Sequence, residues 1–179
     1  MKTTFLKFSI FLFTVLTGLS ACKKDNKEDE SKLYFNVKID GENFAGDLSN
    51  TEGFGAFKYH EGTLSITVPK DANNVSSGTF MLNILTGYNG AGEYIAGKGA
   101  TGNNYARYTS GSMVGGGTVS FWTAETGSGS TANDIGTGTI TVSSDKNGIV
   151  EGTFQFSGYN KVNQTTKHFT EGKFRLKIE

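Results

Sequence analysis

From residue 32 onward, apolar and polar positions alternate along most of the chain. Leu33, Phe35, Val37 and Ile39 fall on one side of an extended backbone and Tyr34, Asn36 and Lys38 on the other, the two-residue period of a strand with one buried face. Asp40 and Gly41 then supply a two-residue hairpin turn into a strand over 42–46. The same pattern predicts strands over 53–59, 63–68 (Leu64, Ile66 and Val68 inward), 79–85 (Phe80, Leu82 and Ile84 inward), 105–109, 118–123, 139–142 and 149–156. A last strand turns Phe174, Leu176 and Ile178 inward and leaves Lys173, Arg175 and Lys177 in water. No long window there carries a helical stripe. The expectation is a single all-β domain over 32–179, an antiparallel β-sandwich of about ten strands, with a closed or partly open up-and-down β-barrel as the alternative.

Two hairpins echo each other. Gly62, Thr63, Leu64, Ser65 followed by Ser77, Gly78, Thr79, Phe80, Met81, Leu82 matches Gly138, Thr139, Ile140, Thr141 followed by Glu151, Gly152, Thr153, Phe154, Gln155, Phe156. Glu171, Gly172, Lys173, Phe174, Arg175, Leu176 repeats the second half. Duplication explains this, and so does the shared composition of hairpins. Under either reading the glycines are structural, suited to bulges or close strand crossings.

The first residues follow a different pattern. Lys2 and Lys7 precede an apolar run over 8–16 broken only by Ser9 and Thr14, about half of the ~20 residues a spanning helix needs, so 1–21 reads as a cleaved signal peptide. Leu19, Ser20, Ala21 and Cys22 resemble the lipobox of a bacterial lipoprotein, which implies lipid on Cys22 and membrane attachment through it. Residues 22–31 lack aromatic and β-branched residues and read as a flexible charged tether behind the lipidated cysteine. The lysines and acids just after Cys22 resemble the signal by which Bacteroidota export lipoproteins to the outer face of the outer membrane; a generic solvated tether is the competing reading.

Composition narrows the function. Removing 1–21 leaves 15 basic and 17 acidic residues, a net charge of −2, which argues against nucleic acid as a partner. Cys22 is the sole cysteine, so no internal disulfide can form and, once acylated, no thiol nucleophile remains. The 25 glycines, 14 phenylalanines and one proline favour short strands over helices.

Three motifs, Val37-x-Ile39-Asp40-Gly41-x-x-Phe44, the pair formed by 138–142 and 152–156, and the closing run over 170–178, resemble a family of small Bacteroidota lipoproteins of unknown function. The resemblance implies an all-β domain and transfers no functional residues. The Gly/Ser segment 127–138 departs from it and reads as a loop peculiar to this chain.

Apparent chemical motifs have structural explanations. Gly97, Gly99 and Gly102 spell a dinucleotide fingerprint with no helix to follow it. His60 and His168 lack companions at metal-ligand spacing and read as solvent-facing. Asp71, Asn73, Asn74 and Asp145, Asn147, Gly148 suit turns better than a calcium site. No catalytic residue, metal or cofactor is expected, and a hydrolase is the least favoured class.

The least ordinary stretch is 87–117, where Tyr88, Tyr94, Tyr105, Arg107 and Tyr108 stand among glycines. Trp122 follows, and alternation with Val119 and Phe121 turns it outward. These side chains form the candidate ligand site, for a glycan or a surface protein, on a non-enzymatic binding or accessory module. The competing reading makes the tyrosines a cover for the end of the sandwich and packs Trp122 beneath a loop, as in a purely structural envelope protein.

Overall fold

The computed structural model describes residues 32–49, 53–111, 117–126 and 135–179. In chain order these form β1 (Tyr34–Ile39), β2 (Glu42–Ala45), β3 (Gly55–Phe57), β4 (Gly62–Pro69), β5 (Thr79–Tyr88), β6 (Gly92–Gly97), β7 (Tyr105–Ser110), β8 (Ser120–Glu125), β9 (Thr137–Lys146), β10 (Ile149–Asn160) and β11 (Thr165–Lys177). A single turn of 3₁₀ helix, Val75–Ser77, is the one helical piece among the described residues.

The described residues are all-β apart from that one turn, as alternation requires. The strands belong to one curled, mostly antiparallel sheet in the order β2-β1-β11-β10-β8-β7-β5-β4-β3. One edge curls back onto the sheet: Ala56 of the edge strand β3 bridges Ile178 just past the interior strand β11, and the Glu179 amide donates to the Ala56 carbonyl at 2.9 Å. The β1–β2 turn is the one read from Asp40-Gly41, with both residues at positive φ (50° and 91°) and Ile39 opposite Glu42.

β10 is a forked strand. Its residues from Ile149 to Ser157 pair with β9, and Tyr159 pairs with Thr123 of β8. Two glycines make the fork possible. A Cβ on Gly158 would sit 2.8 Å from the Trp122 carbonyl carbon, and one on Gly136 (φ 62°) would collide with the carbonyl oxygens of Ser157 and Thr123. β6 lies against this junction, paired with β9. It is the eleventh strand, absent from the expected ten, and the Gly/Ser segment read as a loop over 127–138 is β9 from Thr137; its first part lies outside the described residues.

The inward face is filled by rings. Phe80 is fully buried and lies within 4.8–6.3 Å, centre to centre, of Phe44, Tyr108, Phe35, Phe169, Phe154 and Phe156. The glycines of the echoed hairpins serve this packing: Gly152 stands opposite Phe174 and Gly172 opposite Phe154. A Cβ on Gly172 would meet the Phe154 ring at 2.7 Å, so each missing side chain is the space a cross-strand phenylalanine uses. As expected, β11 pairs on both sides and Lys173 and Lys177 are exposed; Arg175, expected in water, is instead partly covered and paired with Glu151.

A candidate ligand groove on the outer face of the sheet

The aromatic residues singled out from sequence separate into three places. Tyr88 and Tyr94 pack together, ring centres 5.5 Å apart, and both are buried. The Tyr88 hydroxyl donates to Asp145 Oδ2 at 2.6 Å, and Lys58 Nζ donates to the same oxygen at 2.5 Å, so these groups join the β3–β4 connection, the end of β5 and the end of β9. Burial, and next the bond to Asp145, push the Tyr88 phenol well above its ordinary value. Burial also opposes ionisation of Asp145, but the bonds from Lys58 and Tyr88 and the lysine charge outweigh it and hold the carboxyl below its usual range.

Tyr108 and Trp122 sit on the inner face, directly paired across β7 and β8 with ring centres 6.0 Å apart. Trp122 does not face outward: it is 8% exposed, and Phe121 takes the solvent side at 46%. Alternation fixes that the two point oppositely but not which goes in. The β7 register decides, since Tyr108 and Ala106 on the inner face oppose Trp122 and Ala124. The buried indole N–H finds a partner in Thr165 Oγ1 at 3.0 Å, which removes the cost of turning it inward.

Tyr105 and Arg107 alone of the set reach the outer face. There the Arg107 guanidinium carbon lies 5.1 Å from the Tyr105 ring centre and 5.7 Å from that of Phe121, while Nη2 donates to Glu125 Oε2 at 2.9 Å. Nε of Arg107 is buried with no partner among the described residues. Burial pushes the Tyr105 phenol above its ordinary value; the arginine charge opposes this and Glu125 adds to it. Thr123, 5% exposed, forms the floor, with Tyr159 of β10 beside it through the fork. Ile135 and the β10–β11 turn complete a groove of about 280 Å³. That turn is rigidly made, with Asn160 Oδ1 accepting from the amides of Val162 and Asn163, yet it holds Val162 at 90% exposure on the rim.

Phe121, Glu125 and Tyr159 were missed from sequence. Phe121 carried a signal, since it is two residues from Thr123 on the face of Arg107, but Tyr159 reaches the groove only through a pairing with no local trace.

The remaining candidates behave as turns and surface. The segment after Gly97 leads into β7 without a helix. Asn73 donates its amide to Asp71 Oδ1, an Asx turn, and Asn147 and Gly148 form the β9–β10 hairpin turn at positive φ. His60 and His168 are exposed; the ring of His168 meets Ser157 Oγ at 3.0 Å, and Asp40 bonds its backbone amide. Among the described residues no group of three His, Cys, Asp or Glu is placed to hold a metal, and no helix is long and apolar enough to cross a membrane. Cys22 lies outside the described residues.

Comparison with known proteins gives no match to a family model, to a curated protein or to a solved structure.

Proposed function

We propose that this chain is an outer-membrane lipoprotein, anchored through lipid on Cys22 and facing outward, that binds a glycan or a surface protein without transforming it. The outer groove carries the binding part of this reading. An exposed phenylalanine offers a flat apolar face, and beside it an arginine and a glutamate are held in fixed orientation by rings and by each other. A sugar ring needs that combination: an apolar surface for its C–H face and charged hydrogen-bonding groups for its hydroxyls. Such a groove covers little more than one ring, so binding is weak, with Kd in roughly the micromolar to millimolar range.

The address rests on Leu19 to Cys22 after a short apolar run. The chain enters the domain at Tyr34, opposite Arg175, whereas the groove lies near Tyr159, opposite Thr166. At roughly 3.3 Å per residue, the nine positions of β11 between those levels put the groove tens of ångströms from where the tether joins. The Ser157–His168 contact is the pair a hydrolase reading would use, and among the described residues no third group orients that ring.

Mass spectrometry of the mature N-terminus tests the anchor: acylated Cys22 is expected, and an unmodified N-terminus further downstream would refute it. A glycan array together with pull-down from intact cells tests the module. Retention that vanishes in Phe121→Ala supports the groove, and retention unchanged by that substitution removes it as the site.

A further inference from the structure

A second cleft, of about 400 Å³, opens at the inner end of β7 and β8, on the opposite side of the sheet from Phe121. Its floor is the exposed edge of three largely buried aromatic rings. Phe44 meets Tyr108 edge-on at 6.2 Å, and Tyr108 lies against Trp122. Gly78 leaves the space that the Tyr108 ring fills, since a Cβ there would come 2.5 Å from its hydroxyl.

Four charged side chains surround this floor, and two of them cancel. Asp40 accepts the His168 amide at 2.8 Å on one oxygen and Lys167 Nζ at 2.9 Å on the other. Lys167 also stands 5.2 Å above the Trp122 ring. The face of the indole is therefore already covered by a cation that is itself neutralised, and a ligand that offered only a cation would have to displace it. The other two are Glu42, which opens β2, and Lys70, just past β4. Neither side chain has a hydrogen bond or ion pair among the described residues, so the described part of the cleft presents one unpaired charge of each sign over an aromatic floor. A purely anionic ligand would meet Glu42, and a purely cationic one Lys70.

We propose that this cleft binds a small zwitterion with an apolar body, its ammonium at Glu42 and its carboxylate at Lys70. This is the chemistry of a free α-amino acid or of a short peptide with both ends free. The volume lies within the range of small-molecule sites. The inference is independent of the outer groove, because it uses the other face of β8.

Calorimetric titration with phenylalanine, N-acetylphenylalanine and phenylalaninamide isolates each charge, and the dipeptide phenylalanyl-glycine separates the two sources. Phenylalanine or the dipeptide is expected to bind, with the acetyl and amide derivatives at least about tenfold weaker, as loss of a charge-assisted contact implies. Glu42→Gln should abolish the penalty for acetylation, and Lys70→Gln the penalty for amidation. Both positions are solvent-exposed, so thermal stability should stay unchanged, and Phe121→Ala should leave the titration as it was. Equal binding of all four probes, binding of none, or binding indifferent to both substitutions would overturn the proposal.

Discussion

The two faces of the β7–β8 pair carry similar side chains put to different uses. Inward, Tyr108 and Trp122 are each 8% exposed, touch each other and the phenylalanine cluster, and have their polar atoms bonded or close-packed. Outward, Tyr105, Arg107 and Phe121 stack in a file, with an arginine whose Nε has no partner among the described residues and a phenylalanine half in water. The inner set has satisfied its contacts within the chain. The outer set is oriented but less covered, and burial, more than residue type, separates rings packed into the fold from a ring open to solvent.

Removing Phe80 tests the inner side with the largest effect. Its ring touches six others and is fully buried, so Phe80→Ala should cost about 3–5 kcal/mol of stability by denaturant titration, where large cavities in rigid cores fall. The fork that joins β8 to β10 should come next. In Gly158→Ala the new methyl meets the backbone of Trp122 at 2.8–3.0 Å, atoms that cannot rotate away, and a loss of about 1–3 kcal/mol is expected. Because the fork also brings Tyr159 beside Thr123, this variant should weaken ligand retention as well, whereas Phe80→Ala should do so only by unfolding the chain.

Much of the inner side was legible in the sequence, and little of the outer. Phe35, Val37, Leu64, Ile66, Phe80, Leu82, Phe174 and Leu176 are buried as period-two alternation places them, because a half-buried strand writes its face directly into its residues. β6 escaped for the same reason read backwards. Tyr94 and Ala96 face in, but Ile95 is apolar and 37% exposed, and the flanking glycines blur both ends. Trp122 shows the limit of alternation: Phe121 and Trp122 are both aromatic, and the choice between them was made by a neighbouring strand. The groove needs Arg107, Phe121 and Tyr159 from three strands, two of them joined only at the fork, so no window of sequence contains it.

The Lys58–Asp145–Tyr88 node is a polar counterpart to both faces, and pH separates its contribution. Asp145 is held below the unfolded carboxylate value of ~3.9, so the stability it lends is complete above that value and is lost as pH falls through the folded one. Tyr88 is shifted the other way, so its share is complete below the unfolded phenol value of ~10 and is lost as pH rises above it. Tyr88→Phe should cost about 1 kcal/mol near neutrality, the usual worth of one such bond. The gap to the unsubstituted protein should narrow both below pH ~4 and above pH ~10. A gap constant across pH would mean that the hydroxyl contributes by packing and not through Asp145.

The smallest effect on stability, and the sharpest on function, belongs to Phe121. On the solvent face its truncation leaves no cavity and strands no polar atom, since Arg107 keeps Glu125 and Tyr105; Phe121→Ala should therefore change stability by less than about 1 kcal/mol. Binding should respond oppositely. The phenyl face is the most exposed aromatic surface of this groove, and Arg107 loses one of the two rings that orient it, so both the stacking and the hydrogen-bonding parts of the groove weaken together. Trp122→Phe supplies the control from the inner face: it leaves Thr165 without the indole donor and lowers stability while the outer groove keeps its lining. If Phe121→Ala lowers the melting temperature as much as Trp122→Phe while retention on cells or on the array persists, the outer ring is part of the packing and the contrast between the two faces fails.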